Sequence, residues 1–552
     1  MPALKINVML DNRTPSRWIV DTLELLHQQD HIQLHNIIVH DSQTHDTLPG
    51  RATKSLPHKL GRKLLFGYIN RPRFKSNVLA PTTLTGHLSR LIKPGAESSN
   101  PSDNKAPSDI LLQFSDACFE DADFADDKPE ILNNMDLTPN LGTWSVKHAQ
   151  LSQHIEHCAL KQHPILWVHL WNTPAQQKQA VCIASHSLPT QTFSIDDLIQ
   201  SGFGCLPMFI VSRLNWAAQG LHPEQVESSQ VAEPVRATQT IESDYDAPPL
   251  SGMAYLVRAI AVLVAQTKKR IKDKTHMEQW QLGFSKNNGH ASNCAVNDFT
   301  SLPQPANTIW ADPHTIVVNN QTHVFFEELE ITENKGRIAS AVLTPTGFEQ
   351  TPVTVLDEPH HLSYPSVFEY ENNYYMIPET ASKNAVSLYK STRFPHQWEH
   401  LRDLISNVDF ADSTLFFHNG LWWMFTNGVS HEAVDERDTL LIFYCKDFLI
   451  DTWQAHPLNP VVTGVDRARM AGHVYEKDGV LFRPTQYGAQ RYGYGLNVAQ
   501  IHTLNTEHYE ETLISRTIPT GLDKWVGCHT ASHGEEFIVV DRLTYVKKGS
   551  QV

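Results

Sequence analysis

Asp312 and Asp412 stand at the same point of a motif that recurs along the C-terminal half of the chain. Each copy has an inner strand, a turn with Asn or Gly, and a second apolar strand. The copies are ADPHTIVVNNQTHVFFEEL from 311, YPSVFEYENNYYMIPET from 364, ADSTLFFHNGLWWMFTN from 411, AGHVYEKDGVLFRPTQ from 471 and CHTASHGEEFIVVD from 528. In register, the first strands start at Asp312, Tyr364, Asp412, His473 and His529. The second strands end in Glu327 and Glu328, Glu379, Asn427, Gln486 and Asp541. Aspartate is disfavoured inside strands. Two at equivalent places favour a polar pocket over the structural alternative, capping of strand ends. Carboxylates crowded around one axis repel, so at least one pKa must rise, and such a group suits acid–base chemistry. Arg467, Arg469 and Arg337 offer balancing charge. They equally suit bidentate bonds to a phosphate or uronate on a ligand. The expected lining is Asp312, Glu379, Asp412, Arg467, Arg469, His473 and His529, joined by Glu328 and Tyr364.

The elements that position these residues follow from the repeat. Five units starting roughly 47 to 60 residues apart, from about Trp310 onward, have the spacing of propeller blades. An all-β, five-bladed propeller is therefore expected over 301–552. In that fold the first strand of each blade lines the central channel, so the strand starts converge. Trp422, Trp423 and Trp453 are of the type that stacks on sugars, but in propeller strands aromatics usually pack between blades. That reading is preferred for Trp422 and Trp423.

The first and third copies look like blade motifs of the five-bladed glycoside hydrolases related to arabinanases and xylosidases. The resemblance implies Asp312 as general base and Asp412 as the carboxylate that tunes the acid, with a protonated partner needed across the bond. In those hydrolases the acid is a Glu before Gly-Pro at the start of blade four. Here Ala471 stands in that place, leaving Glu379, Glu328 or His473 as substitutes. The segments HLSYPSVFEYENNYYMIPETA, TRFPHQWEHL and DRARMAGHVY resemble the N-terminal propeller domain of plant glucosamine inositolphosphorylceramide transferases, over 310–545. That implies a role in glycoconjugate or polysaccharide metabolism. No counterpart of the separate glycosyltransferase domain is visible.

The N-terminal half reads differently. Residues 4–11 and 34–40 read as buried strands around a helix at 16–28, and 109–114 as a further strand. This order implies a parallel α/β sheet. LKINVMLDN, DILLQFSD and GTWSVKHAQLS resemble the formyltransferase fold, with His148 at the family's His and Ser152 near its Ser. The Leu-Pro after that Ser is missing, and the catalytic Asn and later Asp find no match. The implied domain, 1–221, is a degenerate formyltransferase-like (Rossmann-like) one. Residues 222–250 are rich in Pro, Ser, Glu and Asp and read as a linker. Residues 251–273 carry apolar positions at helical spacing, so 222–300 is taken as linker and helix.

Composition bounds the function. A chain of 552 residues implies more than one domain. A net charge of −15 argues against nucleic acid and against an anionic membrane surface. The local exception is a basic stretch from Arg51 to Lys75. Seven scattered cysteines without CxxC fit reduced thiols and provide no zinc site. No signal peptide or span is legible, which leads to a cytoplasmic expectation without an integral membrane segment. No phosphate-binding glycine loop and no HExxH occurs, so neither cofactor nor metal is expected. The expected partner is a carbohydrate or glycoconjugate. The leading reading is thus a carbohydrate-active protein of surface-glycan biosynthesis. The alternatives are a non-catalytic sugar-binding scaffold, or a formyl- or acyl-transferase on an amino sugar.

Overall fold

A computed structural model describes residues 3–10, 15–39, 108–114, 141–146, 148–174, 180–190, 195–221, 251–287, 299–305, 307–432, 434, 437–489, 491–519 and 525–548, with isolated positions between 60 and 93. The basic stretch, apart from Leu60, lies outside the described residues. The chain forms two compact units.

The first unit holds a seven-stranded sheet. Its strands are β1 (Leu4–Leu10), β2 (Ile32–Val39), β3 (Ile92–Lys93), β4 (Ile110–Phe114), β5 (Gly142–Ser145), β6 (Ile165–Thr173) and β7 (Val181–Pro189), in the order β3-β2-β1-β4-β5-β6-β7. The first five are mutually parallel, and β6 and β7 are antiparallel. β1 is buried except at Lys5 and β4 is buried throughout, as suits strands covered on both faces. Helices α1 (Arg17–His27), α2 (His148–Lys161), α3 (Ile195–Gly204) and α4 (Leu206–Ala218) contribute Trp18, Leu23, Ile155, Leu198, Phe209 and Leu214 to the core. His148 opens α2. Helix α5 (Gly252–Thr275) presses Tyr255 and Ala259 on Leu160, and Tyr255 Oη donates to Glu156 Oε1.

The second unit is a ring of five sheets. Its chain starts with β8 (His276–Lys286) and β9 (Thr300–Ser301). Sheet one contains β10 (Thr308–Val318), β11 (Gln321–Glu330), β12 (Lys335–Thr344), β13 (Gly347–Phe348) and β14 (Val353–Leu356). Sheet two contains β15 (Ser363–Tyr370), β16 (Asn373–Glu379), β17 (Ala385–Arg393) and β18 (Gln397–Ser406). Sheet three contains β19 (Ala411–His418), β20 (Leu421–Gly428), β21 (Thr439–Cys445), β22 (Gln454–Ala455) and β23 (Val462–Thr463). Sheet four contains β24 (Tyr475–Lys477), β25 (Val480–Tyr487), β26 (Gly495–Leu504) and β27 (Tyr509–Thr517). Sheet five joins β28 (Ala531–His533) and β29 (Phe537–Lys547) to β8 and β9. The expected five-bladed propeller is present, and two blades carry a short extra strand.

One boundary differs from the sequence reading. The segment assigned to linker and helix contains β8, which pairs with β29 along its whole length, from Phe537↔Lys286 to Lys547↔His276. The last blade is thus closed by the strand that precedes the first. This pairing covers the edge that β29 would otherwise leave open. Apolar clusters fill the seams between blades. Phe368, Tyr375, Trp422, Phe448 and Trp453 pack between blades two and three, and Trp310, Phe326, Phe284 and Phe537 between one and five. Trp422 and Trp453 are therefore packing residues. Trp423 is buried and donates to His418 O at 3.1 Å.

Candidate functional site

The strand starts of blades one, two and three share an unusual backbone. Asp312, Tyr364 and Asp412 have φ of 52°, 44° and 53°. Each sits in a register break, between Ala311 and His314, Ser363 and Ser366, and Ala411 and Thr414. The left-handed region costs a non-glycine residue about 1–2 kcal/mol. A β-bulge re-aims the side chain out of the sheet alternation. Three copies of the same strained bulge place three polar side chains where inner strands of neighbouring blades touch.

Asp312 is held from blade five. Its Oδ1 accepts from Thr530 Oγ1 at 2.7 Å and lies 3.3 Å from His529 Nε2. Its backbone N donates to Asp541 Oδ2 at 3.1 Å. Asp541 in turn accepts from the backbone N of His529 and Thr530, and its Oδ2 lies 2.7 Å from His529 Nδ1. Burial opposes charge on His529, but the flanking Asp541 and Asp312 outweigh it and raise its pKa to about 9. Burial raises Asp312 to about 7, against the pull of His529 and with help from Glu327, Asp541 and Asp412.

Asp412 is held from blade four. Arg469 Nε donates to its Oδ2 at 2.5 Å, and Nη2 lies 3.5 Å from Oδ1. The loop that carries Arg469 is pinned at several points. Asn427 Oδ1 accepts from Met470 N at 2.8 Å, and Gln486 N donates to Arg469 O at 2.9 Å. The fully buried Arg483 donates to Arg467 O and is neutralised by Glu511. This arrangement fixes the orientation of Arg469 toward Asp412.

Glu379 differs from the other carboxylates. It faces Ser363 across the bulge of blade two, in the register position of Glu327 in blade one. It is half-buried. Among the described residues nothing donates a hydrogen bond to its carboxyl. Burial and the Asp412 charge push its pKa up to about 8, with Arg469 opposing and Asp312 adding. Glu327 pairs with His361 Nε2 at 3.1 Å, while His361 Nδ1 accepts from Gly336 N.

Other expected lining residues stand elsewhere. Tyr364 is fully buried, and its hydroxyl is engaged by Gly472 N and O and by Thr414 Oγ1, so it pins blade two to blade four. Glu328 turns away and accepts from Trp310 Nε1 at 3.0 Å, because alternation in β11 puts it on the face opposite Glu327. His473 stands apart from these carboxylates, against His314 and Ser532. Its Nδ1 is 2.9 Å from His314 Nδ1, and its Nε2 is 3.1 Å from Ser532 Oγ. Burial lowers its pKa to about 4. Arg467 makes no ion pair among the described residues, and Arg337 is bound to Glu333 at 2.6 Å. Of the three arginines, Arg469 meets these carboxylates, with Nε and Nη2 directed to Asp412. Ala471 is buried with Cys528 and Ala531 and brings no proton donor.

The sequence reading missed an aromatic wall. Trp280, on the closing strand β8, lies 4.1 Å from the His529 ring, and Tyr492 lies 5.0 Å from it. Arg469 sits 4.7 Å from the Tyr492 ring centroid. Tyr492 is 36% exposed, and its hydroxyl has no partner among the described residues. Trp280 was missed because its strand lies far from its blade in sequence. Tyr492 follows Arg491 in a loop outside the five repeats. The cluster Asp312, His529 and Asp541 has donor atoms close enough to suit a cation. In the structure the two carboxylates flank the imidazole, Asp541 beside Nδ1 and Asp312 beside Nε2.

The pKa shifts set a stability profile. His529 gains protons on folding, so its contribution is complete below about 6.5 and is lost as pH rises to about 9. Asp312 and Glu379, raised above their unfolded values, add a penalty that grows until their folded values of about 7 and 8 are passed. His456, His473 and His533, lowered to about 4, contribute the opposite slope only below about 6.5. Propeller stability is therefore expected to fall from about pH 6.5 to pH 9. Thermal melts across that range check this, and a melting temperature that rises toward pH 9 refutes it.

Residues 284–535 match the family profile described as "Glucosamine inositolphosphorylceramide transferase 1, N-terminal". The transferase of that name from Oryza sativa subsp. japonica is 32% identical over 229 residues, 40% of this chain and 30% of that protein. The Arabidopsis thaliana protein is 31% identical over 235 residues, 42% of this chain and 30% of that protein. Among solved structures, a family 117 glycoside hydrolase of Zobellia galactanivorans has a TM-score of 0.32 at 12% identity, covering 48% of this chain and 90% of that one. The catalytic domain of a Coprinopsis cinerea GH62 α-L-arabinofuranosidase has a TM-score of 0.33 at 10% identity, covering 48% and 97%. The match thus spans less than a third of the curated transferases, and over that span this chain carries a propeller that resembles the N-terminal domain of the glucosamine inositolphosphorylceramide transferases.

Proposed function

We propose that the propeller binds a sugar unit of a glycoconjugate at its axis and acts on it by acid–base chemistry, in the biosynthesis of surface glycans. The observation that carries this reading is Glu379, a half-buried carboxyl that accepts no hydrogen bond among the described residues, under the influence of Asp412 and Asp312 and raised to about 8. At neutral pH it holds a proton, which suits the donor role that Ala471 cannot fill. Asp312, oriented by Thr530 and His529, is the base. Asp412, clamped by Arg469, keeps negative charge beside Glu379 and so keeps its proton on. Tyr492 and Trp280 offer a ring face to a pyranose. An anionic substituent on the sugar would have to share Arg469, whose Nε and Nη2 already donate to Asp412. The N-terminal unit is read as a formyltransferase-like scaffold on the order of its parallel strands.

The second reading, a sugar-binding protein without turnover, rests on Ala471. Asp312→Asn separates the two. The Asp541 bonds to His529 survive it, so the fold is expected to hold within a few degrees. Glycan-array binding should persist while turnover of the bound glycan disappears. A sharp fall in melting temperature, with no array ligand for the wild type, would leave only a structural salt-bridge cluster.

A further inference from the structure

Helix α5 carries a feature that the propeller site does not use. Met253, Val257, Ile260, Val264 and Ile271 are 46–60% exposed. At about 100° per residue they fall within an arc of about 60°, and at about 1.5 Å per residue they form a stripe about 27 Å long. The opposite face is the packed one, with Tyr255 and Ala259 buried and Val262 and Leu263 beside them. Solvent-facing apolar side chains normally occur singly, and a continuous stripe marks an interaction face.

The charges on the helix identify what covers it. It holds Arg258, Lys268, Lys269, Arg270, Lys272 and Lys274 against one acid, Asp273, in a chain of net charge −15. Lys268 and Lys274 fall roughly 50–70° to either side of the stripe. Both are exposed. Lysines so placed can lay their stems beside apolar side chains and lift their ammonium groups to a polar boundary. A second copy of the helix brings the same cations to the interface, and its one acid, Asp273, lies on the face opposite the stripe. An anionic lipid surface meets both features at once, taking the stripe into its acyl boundary and the lysines among its headgroups. The net charge of the chain does not forbid this. At physiological salt, charges more than about 8 Å away are screened, so the charge on the helix governs contact. No helix among the described residues is long and apolar enough to cross a membrane. We propose that α5 is an in-plane membrane helix that docks the protein on an anionic lipid surface.

The test is co-sedimentation of the full-length protein with vesicles of phosphatidylcholine, alone or with phosphatidylglycerol at roughly a third of the lipid. At low salt, binding is expected to be roughly tenfold or more stronger to the anionic vesicles and to weaken as salt is added. Val257→Asp with Val264→Asp should abolish it. Lys268→Glu with Lys274→Glu should reduce it to the level of neutral vesicles. Both exposed-face variants should keep the wild-type circular dichroism and melting temperature. Equal binding to neutral and anionic vesicles, or binding untouched by either variant, overturns the proposal. So does a concentration-dependent dimer that Val257→Asp dissociates without any vesicle binding, since the stripe then faces a second copy.

Discussion

Glu379→Gln is expected to lower turnover by about 10²–10⁴-fold, the usual worth of a positioned proton donor. The fold should be no less stable than wild type. The amide has the shape of the protonated carboxyl, which is the form the site holds at neutral pH. Since no described residue donates to that carboxyl, the change strands no partner. Above pH 8 the wild type bears the cost of ionising Glu379 beside Asp412, and the variant does not. The variant should therefore melt higher than wild type at pH 9 and show a flatter decline from pH 6.5. Substrates with an activated aryl leaving group should lose least, because they need no proton from the enzyme. Melting and turnover across pH 6–9 check both halves. Unchanged turnover would remove Glu379 from the chemistry, and a lower melting temperature at every pH would make it a structural residue.

Arg469→Met is expected to cost about 3–5 kcal/mol, because it leaves Asp412 buried without its cation. The side chains are 15% and 3% exposed, so solvent does little to replace the lost pair. The change also takes away the cation under Tyr492 and the positive neighbour that restrains Glu379, whose pKa should climb further. The double variant Arg469→Met, Asp412→Asn should recover most of the stability and none of the activity. Chemical denaturation of the single and double variants measures the coupling directly. A single variant within about 1 kcal/mol of wild type would show that the pair contributes little, as exposed pairs do.

The chain of local signals carried a good deal of this. Five strand–turn–strand copies sufficed for the propeller, since a repeat that cannot bury its own face must stack. The same register put Asp312 and Asp412 at strand starts and Glu379 at a strand end, and in the structure both aspartates act on the Glu379 carboxyl. Alternation and helical spacing also located β1, β2, β4 and the helix α5. What sequence could not supply was partnership. Arg467 and Arg469 are two residues apart and look alike, yet only Arg469 reaches a carboxylate; which one does depends on how Asn427, Gln486 and Arg483 pin the loop. Glu327 and Glu328 are adjacent, and the pleat sends one to His361 and the other to Trp310. Tyr364 sits where an aspartate sits in two other blades, but its longer side chain spans to Gly472 and its hydroxyl is already engaged there. The closing strand β8 was read as linker because it carries no turn linking it to its partner, which lies more than two hundred residues away. Spacing along the chain determines which residues share a strand end. Which of them stay free for a ligand is decided by side-chain reach and by contacts that join distant segments, and those exist only once the ring has closed.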